Sequence, residues 1–290
     1  MRVGVLDIGA NTAHLVVFER ALERVAEDRA MLGLGAEIEA SGDLSKQTLA
    51  EVERAARRMV ATARSAGAAR IEVLVTSPGR QSANGAELAA AIRHGCGHEP
   101  RLLSAEEEAR LGYAGALASS MTGSGPVAVC DVGGGSAQLA IGAPDGEPAW
   151  LCSIDLGSLR LSRRLLAGDP PRPEQLLAAA HAVEQALDGM APPLPQTALA
   201  VGGTARALKK IVGPTLGPGQ LAEALEVLAS NPAKKIATTY RIARWRAEAL
   251  PGGVLIVRAL QQRLLRPLEV VRGGVREGAA LALFAEAEAA

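Results

Sequence analysis

The segment Val3-Gly4-Val5-Leu6-Asp7-Ile8-Gly9-Ala10-Asn11-Thr12-Ala13-His14-Leu15-Val16-Val17 is echoed, 124 residues later, by Val127-Ala128-Val129-Cys130-Asp131-Val132-Gly133-Gly134-Gly135-Ser136-Ala137-Gln138-Leu139-Ala140-Ile141. Both copies read as an apolar strand, an aspartate, a glycine turn, a hydroxyl and a second apolar strand. A repeated supersecondary unit sets the architecture before any other feature does. Two such hairpins at this distance predict two related domains.

The flanking pattern supports this. After the first hairpin (strands 2–6 and 14–18), residues 45–65 carry Leu49, Val52, Ala56, Met59 and Ala63 on one helical face. A strand at 71–75, a helix at 86–93, a strand at 101–103 and a helix at 104–118 follow. Alternating strands and helices predict an α/β layer. The small, polar stretch 119–126 reads as a linker. Domain one is therefore expected over 1–119 and domain two over 120–274, with the C-terminal helix 275–290 a candidate return to domain one.

Composition excludes several classes. The 290 residues are 48% hydrophobic, enough for a sizeable core, and only 2% aromatic, so that core is aliphatic. Lys+Arg and Asp+Glu are 31 each, which argues against a dedicated nucleic-acid binder. Cys96, Cys130 and Cys152 lack metal or disulfide spacing and read as small buried hydrophobes in a reducing compartment. No stretch approaches a membrane span, and the N-terminus reads as a strand rather than a signal peptide. A cytoplasmic protein is expected.

The chemistry sits in the turns. A glycine-rich turn directs backbone N–H groups into one concavity, a nest for phosphate oxygens. Gly9, Asn11 and Thr12 form the first such turn, and Gly133, Gly134, Gly135 and Ser136 the second. Asp7 and Asp131, at the strand ends, are positioned to hold Mg²⁺ directly or through water. A third turn, Gly202-Gly203-Thr204, follows a strand at 198–201 and opens a helix, whose N-terminus favours anions. Three such turns indicate a phosphate-handling site.

These turns resemble those of the actin-like ATPase superfamily, and within it the chain resembles the Ppx/GppA family of exopolyphosphatases and guanosine-pentaphosphate phosphohydrolases. The resemblance runs through Asp7–Thr12, through Thr76-Ser77-Pro78-Gly79-Arg80 with Asn84, and through Ser104-Ala105-Glu106-Glu107-Glu108-Ala109-Arg110-Leu111. It continues through Asp131–Ser136, Ser153…Leu156-Gly157…Arg160-Leu161, Gly202-Gly203-Thr204 and Arg276-Glu277-Gly278. Residues 216–250 match least. The resemblance implies an actin-like (ribonuclease H-like) α/β fold, with two related domains around a central cleft that holds the substrate. It also implies Mg²⁺ as cofactor and a homodimer. Ending without a His-Asp helical domain, the chain is similar to the short two-domain form, which implies a preference for short polyphosphates.

From the residues alone, Ser104 is an N-cap and Glu107 falls at N3, a capping box. The resemblance implies instead that Glu107 is the base activating the attacking water, with Glu108 the second candidate. It also implies that Arg80 and Arg160 clamp phosphate, a task suited to the guanidinium fork. Gln138 stands where the family has glutamate. A neutral amide orients water but takes no proton, so a nearby acid substitutes, or Gln138 only positions water, or turnover is slow, or the protein binds without turnover. Lys209-Lys210 reads as solvated surface, or one of the two lines a polyanion groove, and His14 reads as a core-edge residue.

Three functions follow. The first is an exopolyphosphatase acting on inorganic polyphosphate, with pppGpp (guanosine pentaphosphate) hydrolysis to ppGpp as the close alternative. The second is a non-catalytic sensor of polyphosphate or alarmone. The third, an ATP-using kinase or chaperone, fits the 76–80 and 104–111 segments poorly.

Overall fold

The computed structural model describes residues 1–289, which form two compact units. The first spans Met1–Leu111 and takes in the C-terminal helix Val275–Ala289, and the second spans Gly112–Gly274. The division falls inside the helix Ala105–Leu117 rather than in the 119–126 stretch, because Leu111 packs into the first unit's core while Tyr113 and Ala116 pack into the second's.

In the first unit, β1 (Arg2–Ile8) and β2 (Thr12–Glu19) form the expected hairpin, continued by β3 (Glu23–Met31). β4 (Ala68–Val75) and β5 (Arg101–Leu102) add in parallel on the other side, giving the order β3-β2-β1-β4-β5. In the second unit, β6 (Val127–Val132), β7 (Ala137–Gly142) and β8 (Pro148–Ile154) form the same antiparallel run. β9 (Thr197–Val201) and β11 (Leu268–Val270) add in parallel beside β6, and β10 (Thr215–Leu216) closes the edge. Apart from the added edge strand β10, the second sheet repeats the topology of the first, that of the actin-like, ribonuclease H-like fold. Patterning did not reveal β3, for a physical reason. As an edge strand with the sequence ERVAEDRAM, it is exposed along most of its length and carries charges that discourage edge pairing.

The central strands are apolar throughout because both faces are covered. Leu6, Ile8, Leu15, Val17, Val73 and Val75 face one core with the helices Lys46–Ser65 and Gly85–Cys96. Val3, Val5, Val16, Phe18 and Leu74 face another, closed by Ala279, Ala280 and Leu283 of the C-terminal helix. The second sheet splits its residues the same way, with Cys130 in one core and Val129 in the other. Burial pushes the Cys130 thiol up to about 12, so it serves as a small core hydrophobe. No helix among the described residues is long and apolar enough to cross a membrane.

The C-terminal helix docks where Gly278 leaves room. A Cβ there would sit 2.0 Å from the Leu111 carbonyl oxygen. Propensity alone favours Gly278→Ala by about 1 kcal/mol, whereas the clash opposes it by about 1–3 kcal/mol. We expect the clash to win, so that thermal denaturation of Gly278→Ala begins below wild type.

Candidate functional site

The two hairpin turns are built alike. The Gly9 N–H donates to the Thr12 carbonyl at 3.0 Å, and the Gly133 N–H donates to the Ser136 carbonyl at 3.0 Å. Each loop's carbonyls are then taken up from one side. The Ala10 carbonyl accepts from Gly35 N–H at 2.6 Å, and the Asn11 carbonyl accepts from Leu32 and Gly33 at 3.0 and 3.1 Å. In the second unit the start of the helix Ser158–Leu165 does this work. The Ser158 N–H donates to Gly133 O, and Leu159 and Arg160 donate to Gly134 O, all within 3.1 Å. Ser158 Oγ adds a bond to Gly133 O at 3.0 Å. In a trans peptide the N–H points opposite to the carbonyl. The N–H groups of Asn11 and Gly134 therefore turn to the other side of their loops, an arrangement suited to an anion. Gly157 has to lack a side chain, since a Cβ would lie 2.4 Å from the Gly134 carbonyl carbon.

The aspartates end the first strand of each hairpin. Asp7 pairs in register with His14 on β2, and Asp131 pairs with Gln138 on β7, so His14 is the first unit's counterpart of Gln138. His14 is buried and lies between Arg29 and Glu27 of the edge strand. Asp7 Oδ2 accepts from Arg276 Nη1 at 2.9 Å, while its buried Oδ1 has no partner. Burial raises the Asp7 carboxyl above its usual range, against the opposing pull of Arg276. A buried, half-satisfied carboxylate is suited to a cation. In the second unit, Asp131 lies under the third turn: a Cβ on Gly202 would sit 2.2 Å from Asp131 Oδ1, and Gly202 has φ +84. Among the described residues no group of three or more His, Cys, Asp or Glu gathers.

Gln138 is buried. Its Nε2 donates to Ser136 Oγ at 2.9 Å and to Ser153 Oγ at 3.3 Å. The amide thereby ties the second loop's hydroxyl to β8. Thr204, expected as a binding residue, is a buried one. It is 1% exposed, and its Cγ2 packs against Gly253 of the helix Arg244–Leu264, where a Cβ would come within 2.5 Å. Over Gly203 lies the Arg246 guanidinium, 2.2 Å from where a Cβ would be, and it also stacks on Trp245 at 4.2 Å. Arg246 falls in the stretch that matched the family least, so sequence comparison passed it over; the missing side chain at Gly203 is the only sequence trace of it.

The acidic helix start separates two neighbouring glutamates. Glu107 is fully engaged. Its Oε2 accepts from Ser104 N–H at 2.8 Å, its Oε1 accepts from Arg101 Nη2 at 2.7 Å, and its own N–H donates to Ser104 Oγ at 3.1 Å. This is the capping box, reinforced by an ion pair. The Arg101 guanidinium, with the Ser104 N–H second, holds the Glu107 carboxyl below its ordinary range. Glu108 is more enclosed, with its side chain 12% exposed, and its Oε2 accepts from Arg80 Nη2 at 2.7 Å. Arg80 is fixed in turn by donating to Leu103 O at 2.7 Å. Arg160 donates to the Asp155 carboxylate and carbonyl. Asn84 is structural, bonding both the N–H and the carbonyl of Leu44.

The model of the Ppx/GppA phosphatase family matches residues 14–286. Exopolyphosphatase 1 of Mycobacterium tuberculosis is 26% identical over 96% of this chain and 87% of its own length. The guanosine-5'-triphosphate,3'-diphosphate pyrophosphatase of Pseudoalteromonas atlantica is 26% identical over 71% of this chain and 42% of its own. The crystal structure of an exopolyphosphatase from Cytophaga hutchinsonii superposes with a TM-score of 0.90, covering 99% of this chain and 98% of that one at 16% identity, which is a likeness of fold.

Because its folded carboxyl is depressed, Glu107 contributes stability above its unfolded pKa of about 4.3, and this is lost as pH falls through the lower folded value. At 39% side-chain exposure, solvent screening keeps the contribution below about 1 kcal/mol. Glu107→Gln is expected to melt slightly below wild type at pH 7, with the two converging as the pH is lowered below 4, as followed by calorimetry.

Proposed function

The chain belongs to the Ppx/GppA phosphatase family, and from that premise we propose that it is an exopolyphosphatase, releasing terminal orthophosphate from inorganic polyphosphate. The observation that carries this reading is the pair of identically closed glycine loops, each beside an aspartate, with their carbonyls gripped from one side. The relatives favour polyphosphate, since the similarity spans 87% of the M. tuberculosis exopolyphosphatase but 42% of the pyrophosphatase. That second enzyme's likeness supports pppGpp hydrolysis as the alternative, which uses the same groups.

Phosphoanhydride hydrolysis asks the protein for positioning and charge neutralisation more than for covalent chemistry. The N–H groups of Gly134 and Asn11 donate to phosphate oxygens, as does the Ser136 hydroxyl, whose oxygen already accepts from Gln138. Arg246 beside Gly203 adds positive charge in the second unit. Asp7 and Asp131 are the residues suited to hold Mg²⁺, which when bound neutralises phosphate oxygens. We assign the base to Glu108 rather than Glu107. Both oxygens of Glu107 are spent on the cap and on Arg101, and Glu108, the more enclosed of the two, is oriented by Arg80. Glu108 takes a proton from the attacking water. The new P–O bond forms as the bridging P–O bond breaks, and the shortened chain leaves with the bridging oxygen. Arg80 thus serves as a positioning residue, and Gln138 holds Ser136 in place without accepting a proton.

Phosphate release from tripolyphosphate with Mg²⁺ tests this assignment. We expect Glu108→Gln to lose about 10²-fold or more, the scale of a general base, and Glu107→Gln to lose much less. The reverse order would return the base to Glu107, and binding without release by wild type would favour the sensor. A second test addresses Gln138. The Ser136 hydroxyl can donate as readily as accept, whereas Ser153 Oγ already donates to Ala137 O, so Gln138→Glu keeps one of the two hydroxyl contacts. The added carboxylate is expected to raise both Mg²⁺ affinity and turnover, measured by Mg²⁺ titration of the rate.

A further inference from the structure

Of the four sheet edges, three carry a device that discourages further pairing. β3 is lined with charges, and β5 and β10 are two residues long. β8 is the fourth edge. Its seven residues, PAWLCSI, include no charge, and Pro148 blunts only its first position. Among the described residues, no segment other than β7 hydrogen-bonds to its backbone. An open cavity of about 560 Å³ lies at the C-terminal end of this strand, lined by Ile154, Leu161, Leu165 and Ala182, with Arg164 in its wall. Trp150 is four residues from Ile154, so the two share one face of the sheet, and Trp150 is only half-buried against the core that holds Ile154 and Leu161. The two ends of β8 differ in charge. The turn 143–147 before it carries Asp145 and Glu147, and the helix Ser158–Leu165 after it carries Arg160, Arg163 and Arg164 with no acid. Asp145 and Arg163 are exposed, while Glu147, Arg160 and Arg164 also make contacts within their own chain.

We propose that β8 pairs antiparallel with β8 of a second copy of this chain, about a twofold axis at Cys152, so that Trp150 of each copy seats in the cavity beside Ile154 of the other. A twofold interface must be self-complementary, and this surface meets that requirement in three ways. Its open backbone edge can pair with its own copy. Pairing centred on Cys152 sets Trp150 opposite Ile154, on the same face of the joined sheet as the cavity, and tryptophan is among the residues that carry most interface energy. The same pairing brings the acidic turn of one copy to the end of β8 where the other copy carries its basic helix, twice over. An unrelated extended peptide satisfies the backbone edge but brings neither the tryptophan nor the matched charges. The proposal does not depend on which reaction the chain catalyses. It does reach the site, because β8 carries Ser153, whose hydroxyl accepts from Gln138 behind Ser136. Pairing therefore steadies the strand that anchors the second loop.

Sedimentation equilibrium of the full chain tests this, and wild type should be a dimer. Ala149→Lys places a charge at an exposed position of β8, and Arg163→Glu reverses an exposed charge on the following helix. With far-UV circular dichroism unchanged, each should raise the dimer dissociation constant about tenfold or more. Asp145→Arg should do the same, whereas Asp145→Arg/Arg163→Glu, which restores opposite charges across the axis, should recover most of the affinity; two independent losses of fold would add instead. A short bis-maleimide should join wild-type chains through Cys152, whose Cα atoms would stand about 5 Å apart across the axis, and should fail with Cys152→Ser, because Cys96 and Cys130 are buried. A monomeric wild type would overturn the proposal, in favour of peptide addition if that monomer binds a synthetic peptide of residues 148–154. So would a dimer that ignores Ala149→Lys and Arg163→Glu, one that the double charge exchange fails to restore, or one whose chains Cys152 does not join.

Discussion

The functional architecture depends on how the glycine loops spend their carbonyls. A loop of small residues between two strands has donors and acceptors to place. Here the acceptors are committed first, to Leu32, Gly33 and Gly35 in one unit and to the helix start Ser158–Arg160 in the other. Planarity of the peptide then sends the intervening N–H groups the other way. A nest whose donors are turned by structure already in place costs little reorganisation when an anion arrives. The helix Ser158–Leu165 also shows that a helix N-terminus need not be an anion site. Its first N–H groups are consumed by the loop carbonyls.

Carboxylates are sorted by their partners. Glu107 and Glu108 are adjacent, yet one closes a capping box while its neighbour turns to Arg80. Successive residues on a helix point about 100° apart, so they cannot serve the same task. Asp7 is held at one oxygen by Arg276 from the C-terminal helix, so the helix that completes the first unit's core also orients its aspartate. Asp131 is enclosed by the Gly202 backbone instead. The two hairpins share one topology and differ in how each aspartate is supported.

Much of this was legible in the residues. The echoed hairpins carry the paired sheets because an apolar run ending in aspartate and glycine has few other ways to bury itself and turn. The capping box at Ser104 and Glu107 was legible too, since it depends on three-residue spacing alone. The edge strand Glu23–Met31 was not, because its charges follow no burial period. Arg246 was not, because it meets Gly203 across 43 residues of chain. Thr204 looked like a ligand hydroxyl until Gly253 gave it a packing partner.

By itself, then, the sequence determined the repeated α/β topology, the three glycine turns and the placement of aspartates beside two of them, because these follow from local patterning and backbone sterics. Only the tertiary structure decided that Glu107 closes the helix cap and pairs with Arg101 while Glu108 meets Arg80, and that Arg276 supports Asp7. Those depend on side chains distant in sequence meeting in space, and a partner that arrives from another element leaves no period or spacing to read.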